Sequence, residues 1–152
     1  MTKDKLDNTR ELVEALNLCQ AFMKESRYGH LPLSEKKAEF VLGTAQNRPD
    51  VFFLRYNFTE SGECVGLFIG RIEELFFADS YIASDLVFYV REDHRGSPWF
   101  VKTLREFEKW AKDKGALYVK LLPNSGINTQ SAPKLFERLG YDQVGHIFNK
   151  EL

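Results

Sequence analysis

"SDLVFYVREDHRGSPWFVKTLREFEKWAKDKGALYVKLL", Ser84 to Leu122, is the stretch whose reading decides the fold. Ser84–Arg91 is rich in branched and aromatic residues and reads as a strand. Arg95-Gly96-Ser97 turns the chain, and Pro98–Lys114 reads as an amphipathic helix closed by Gly115, a good residue just past a helix end. Ala116–Leu122 is again apolar and strand-like. A strand, a helix and a second strand within so short a span form a β-α-β crossover, which implies two parallel strands with a helix packed on them.

Upstream the period changes twice. Leu12, Leu16, Cys19 and Met23 recur at helical spacing, with Val13, Leu18 and Phe22 widening the stripe. Tyr28-Gly29-His30-Leu31-Pro32 breaks that helix. Ser34 is placed to cap a second one running to about Gln46, although Lys37 stands where a capping box would carry Glu. Val51–Phe58 and Cys64–Leu75 flank the turn Glu60-Ser61-Gly62-Glu63, so they read as a β-hairpin. A loop near Ala78–Ser80 leads into the crossover. Downstream, Pro123-Asn124-Ser125-Gly126 stops the strand, Ala132–Leu139 reads as a short helix ending at Gly140, and "DQVGHIFNKEL" (Asp142–Leu152) reads as a last strand. The expected architecture is α/β, or α+β: one domain over residues 1–152 with a central mixed sheet and helices on both faces.

Bulk composition narrows the function. The chain has 152 residues, 43% of them hydrophobic and 14% aromatic, with thirteen Phe, which suits a globular domain with a substantial core. A formal charge of −1 argues against a broad nucleic-acid surface. Two cysteines without paired spacing, Cys19 and Cys64, argue against a disulfide framework or a cysteine zinc site and fit a reducing compartment. No signal-like or membrane-length apolar run is present, so a cytoplasmic protein without a membrane partner is expected. His30, His94 and His146 lie in separate segments, and no metal is expected.

The turn after Val90 has a definite chemistry. Ser97 is a favourable helix cap and Pro98 a favourable first helical residue. A helix begun firmly at a strand end points its free N–H groups and the positive end of its dipole outward, where they suit an anion. Arg91, Arg95 and Lys102 lie close by. The same residues also describe a well-capped helix on an ordinary β-α turn.

The order of elements from Val51 to Leu152, together with Arg95-Gly96 in the turn and Leu135…Gly140-Tyr141 in "LFERLGY", resembles the GNAT superfamily of N-acetyltransferases. Its phosphate turn reads R/Q-x-x-G-x-G/A, and its last helix commonly ends LYxxxGF. The resemblance implies acetyl-CoA as acyl donor, held by the half of the chain at residues 84–141. The donor would contact Val90, Arg91, Arg95, Gly96, Ser97, Trp99, Phe100 and Phe136, with its pyrophosphate on the turn's backbone amides. It further implies an amine acceptor, a small molecule or a protein, beside the N-terminal helices (1–49) around Arg27–Leu31. A homodimer is compatible with it. Three positions depart from the family pattern. Pro98 and Phe100 replace its two small residues, removing one amide donor and adding bulk. Phe136 stands where many members carry a tyrosine that reprotonates the leaving thiolate.

Acetyl transfer to an amine needs a base for the amine proton and an acid for the thiolate. Strand alternation puts Asp85, Val87 and Tyr89 on one face. Asp85 matches by position the general-base carboxylate that several family members carry, and it equally suits a strand-end cap. Tyr89 is the candidate acid, or a half-buried packing residue. Glu73 and Glu74 are rival bases at a strand end, where most acids are simply solvated. Cys19, on the apolar stripe, reads as core. Two other functions remain open on these residues: a GNAT-like module that binds without catalysis, which Pro98, Phe100 and Phe136 favour, and a nucleic-acid-modifying relative, which the charge disfavours.

Overall fold

The computed structural model describes residues 1–152. Its elements are β1 (Thr2–Lys3), α1 (Thr9–Glu25), α2 (Glu35–Asn47), β2 (Phe52–Phe58), β3 (Cys64–Glu74), β4 (Tyr81–Val90), a 3₁₀ turn (Glu92–His94), α3 (Trp99–Asp113), β5 (Ala116–Lys120) and α4 (Ser131–Arg138). The five strands form one mixed sheet in the order β1-β2-β3-β4-β5. β1 to β4 pair antiparallel, and β4 pairs with β5 in parallel, as the crossover requires.

Local chemistry explains most boundaries. Asn8 caps α1 by accepting from the Glu11 N–H, and Ser34 caps α2 by accepting from the Lys37 N–H. At α3 the boundary moves by one residue. Pro98, not Ser97, occupies the capping position, and no side chain caps the helix. The last strand expected at Asp142–Leu152 does not form: beyond Tyr141 the chain has no regular structure and no backbone hydrogen bonds. Apolar alternation marks a segment that could pair, but a strand exists only where an edge receives its N–H and C=O groups.

Two cores sandwich the sheet. On one face α1 and α2 bury Ala15, Leu18, Leu42 and Ala45 against Tyr56, Leu67, Ile69 and Tyr89. On the other α3 packs Leu104, Phe107 and Ala111 against Phe53, Phe68 and Ala83. Cys64 is fully buried and Cys19 half-buried, both in the first core.

β4 carries the two irregularities that shape the site. Ile69 faces Val87 across the ladder and Gly70 faces Asp85, so Leu86 is an extra residue, a β-bulge. The bulge reverses the alternation. Ala83, before it, packs with the α3 core, whereas Val87 and Tyr89, beyond it, pack with the α1 core. The expectation of one unbroken face shared by Asp85, Val87 and Tyr89 assumed a flat strand, and the bulge at Leu86 overturns it. The second irregularity is the parting of the parallel strands. The β4–β5 ladder ends at Ser84 and Lys120, and the Leu86–Val90 half of β4 has no partner on that side.

Candidate active site

The Asp85 carboxylate sits where the two strands part. Its Oδ1 accepts the Leu122 N–H at 2.7 Å, an amide with no further β4 carbonyl to reach. The residue is 6% exposed. Burial pushes its carboxyl up to about 6, against the pull of the Leu122 N–H and Lys120.

Beyond Asp85 the gap between the strands opens into a cavity of about 380 Å³, within the range of small-molecule sites. It is bounded by β4, the Arg95–Ser97 turn, the start of α3, the loop after β5, and α4. Phe22, Val87 and Tyr89 belong to one core, while Phe88, Val90 and Phe100 belong to the other, and all six line the cavity. The cavity therefore passes through the plane of the sheet. Phe100 is 4.7 Å from Phe88 between ring centroids, and Phe136 lies 5.8 Å from Phe88, so these rings form a continuous apolar wall.

At one end lies the turn. Gly96 has φ +84°, a conformation that favours glycine, and a Cβ there would meet nothing. The amides of Gly96, Ser97, Trp99 and Phe100 donate to no acceptor in the protein, the last two because the first turn of a helix leaves its N–H groups without intrahelical partners. Arg95 lines the cavity beside them; its Nε donates to Val90 O at 2.9 Å. Phe100 puts its bulk into the aromatic wall.

Asp85, Tyr89, Val90, Arg95, Gly96, Ser97, Phe100 and Phe136 all border this one cavity; Arg91 and Trp99 do not. Arg91 turns outward to Glu63 at 3.2 Å. Trp99 turns inward: its Nε1 donates to Thr2 at 3.1 Å, and its ring lies so close to Gly66 that a Cβ there would approach it to 2.8 Å. Only its backbone amide belongs to the turn. Glu73 is bound to Lys120 and Arg71, each at 2.9 Å; burial raises its carboxyl but the two cations outweigh it and leave it below the usual carboxylate range. Glu74 is exposed at the end of β3, and neither acid lines the cavity.

The Tyr89 hydroxyl donates to Glu25 Oε2 at 2.6 Å, and burial together with this bond pushes it up to about 12. Glu25, the last residue of α1, received no role from the sequence, because nothing local ties it to a residue so far along the chain. The loop after β5 was also read only as a strand stop. Asn124, Ser125 and Asn128 from that loop line the cavity, and Ser125 O accepts the Arg27 N–H at 2.8 Å, joining it to the α1–α2 connection. No cluster of His, Cys, Asp and Glu is arranged to hold a metal ion, and no helix is long and apolar enough to cross a membrane.

No family model matches the sequence, and no curated protein matches it. Solved structures match the fold over the full chain. An acetyltransferase from Trypanosoma brucei superposes with a TM-score of 0.72 at 15% identity, covering 100% of both chains. A GNAT family acetyltransferase from Staphylococcus aureus gives 0.64 at 18% identity, covering 100% of this chain and 98% of its own. Glucosamine-6-phosphate N-acetyltransferase from Arabidopsis thaliana gives 0.71 at 14% identity, covering 99% and 98%. The chain has the GNAT acetyltransferase fold.

Proposed function

We propose that the protein is an acetyl-CoA-dependent N-acetyltransferase acting on a primary amine of a small molecule or protein. The observation that carries this reading is the cavity through the sheet: two substrates approaching from opposite faces could meet in it beside a buried carboxylate. The residues present fit the donor. Unpaired amides from Gly96 to Phe100 and the Arg95 guanidinium suit a diphosphate, and the wall of Phe88, Phe100 and Phe136 suits an apolar arm. Pro98 offers no N–H, which weakens the anion site without removing it.

Bound acetyl-CoA supplies an activated acyl group, and the chain's own residues handle the protons. Asp85, ionised above about pH 6, takes the proton that the attacking amine must lose. Tyr89 is engaged in the opposite sense: its proton is directed at Glu25, which leaves the hydroxyl oxygen with acceptor capacity only. Phe136 has no proton to give. The thiolate is therefore protonated by water or by a cavity hydroxyl such as Ser97 or Ser125, or it departs ionised, which a thiol with an ordinary pKa near 8.5 permits. The acceptor side would be the α1–α2 connection around Arg27–Leu31, which is bonded to the cavity loop through Ser125.

A second reading, a binding module without catalysis, is favoured by Pro98 and Phe136. Calorimetry with CoA and acetyl-CoA, followed by a broad amine screen that detects released thiol, separates the two. Binding with turnover supports the enzyme, and binding without turnover on any amine supports the module. No heat and no competition at millimolar CoA would sink the enzyme and favour a non-catalytic module with a different ligand.

A further inference from the structure

Glu25 and Arg95 are 70 residues apart in sequence and meet through their side chains; Arg95 lines the cavity, and Glu25 lies behind it, outside the lining. Arg95 Nη2 lies 2.7 Å from Glu25 Oε2 and 2.6 Å from Oε1, and the same Oε2 accepts the Tyr89 hydroxyl at 2.6 Å. Arg95 Nε donates to Val90 O, and the guanidinium carbon sits 5.6 Å from the centre of the Tyr89 ring. A guanidinium has five N–H donors. Here the Nε and Nη2 side is held by a backbone carbonyl and a carboxylate, while Nη1 donates to nothing in the protein.

We infer that Glu25 is a positioning residue for the anion-binding turn: it fixes Arg95 from the far end of α1, leaving the Nη1 donors for the donor's diphosphate. The inference rests on the acetyltransferase reading. Its sign is not trivial, because a carboxylate beside an anion site also repels the anion. The geometry favours the tether. Glu25 engages only the Nη2 side, so a diphosphate at Nη1 need not displace it. Taking Nη2 as well would strand the carboxylate with a single phenol partner. Holding a long, flexible side chain in place before the ligand arrives removes an ordering cost from binding.

The test is a double-mutant cycle on CoA affinity, read by calorimetry for the wild type, Glu25→Gln, Arg95→Met and the pair. Glu25→Gln should weaken CoA roughly tenfold, as expected for losing a charge-assisted contact that orients the anion's partner. In the Arg95→Met background it should add nothing. S-acetylpantetheine, which lacks the diphosphate, should bind Glu25→Gln and the wild type equally by ligand-observed NMR. Unchanged or tighter CoA binding by Glu25→Gln would overturn the inference, the latter by showing that Glu25 competes for Arg95. A loss that persists without Arg95, or that extends to S-acetylpantetheine, would also overturn it, showing a merely structural role. If Glu25→Gln does not fold, Glu25→Asp, which withdraws the carboxylate by one methylene, carries the same cycle. Failure of the wild type to bind CoA would overturn the acetyltransferase reading and this inference with it.

Discussion

Burial lifts the Asp85 carboxyl from the ordinary aspartate value of 3.8 to about 6, and that gap has a thermodynamic counterpart of roughly 3 kcal/mol. The sign follows from proton uptake. Between the two values the folded chain holds this proton more tightly than the unfolded chain, so the stability contributed by Asp85 is greatest below about pH 4 and is lost as pH rises through about 6. Asp85→Asn removes the charge while keeping an oxygen for the Leu122 N–H. It should therefore melt higher than the wild type at pH 7.5 and lose that advantage near pH 4, measured by thermal unfolding across pH. In an active enzyme the same change should lower kcat/KM by about 10²–10⁴, and the wild-type profile should show a limb near pH 6. Tyr89→Phe should cost less, because its proton already belongs to Glu25. Full kcat/KM in Asp85→Asn across pH would place the base elsewhere.

At the scale of elements, the turn between β4 and α3 concentrates the testable features. Gly96→Ala meets no atom, so its cost is conformational alone: about 1 kcal/mol for a side chain at φ +84°. A lower melting temperature together with weaker CoA binding is expected. Pro98→Ala restores a backbone N–H at the start of α3 and should tighten CoA by up to about tenfold. Unchanged affinity in the folded variant would show that this amide lies off the anion's path. Phe100 is a poor target by comparison, since its ring is part of the aromatic wall and truncating it would open a void in the core.

The elements were legible where the chain's own periodicity decides them. Ser84–Leu122 announced a parallel pair because a strand, a helix and a strand in sequence have few other ways to pack. The bulge at Leu86 was not legible, since an extra residue looks like any other in an alternating strand and shows itself only against its partner. For the same reason the direction of Trp99 could not be read: its destination, Thr2 and Gly66, lies in other strands. Glu25 was hidden more deeply still, as one acid among many on an amphipathic helix until the fold set it against Arg95. Asp142–Leu152 erred the other way: its strand-like pattern stays unpaired although β5 ends the sheet with an open edge.

For the molecule as a whole, ligand binding and stability are linked. CoA at 100 times its Kd should add about 2.7 kcal/mol to the folded state, which for a domain of this size raises the melting temperature by roughly 5–10 °C. ATP, which shares the phosphates but not the pantetheine arm, should give a smaller rise, because the aromatic wall has nothing to cover. Equal shifts from both would mean that the cavity recognises phosphate alone.

The two cysteines bear on how turnover can be watched. Burial pushes the Cys19 thiol up to about 11 and the Cys64 thiol up to about 12, so at assay pH neither is appreciably ionised, and thiolate is the form that attacks a disulfide reagent. An aromatic disulfide such as Ellman's reagent, added continuously to the native protein, should therefore colour slowly until an amine substrate releases CoA. In denaturant the same reagent should titrate both thiols promptly. The protein thus carries its own unfolding alarm: a fast background in any variant would mark a loosened first core before any kinetic constant was interpreted.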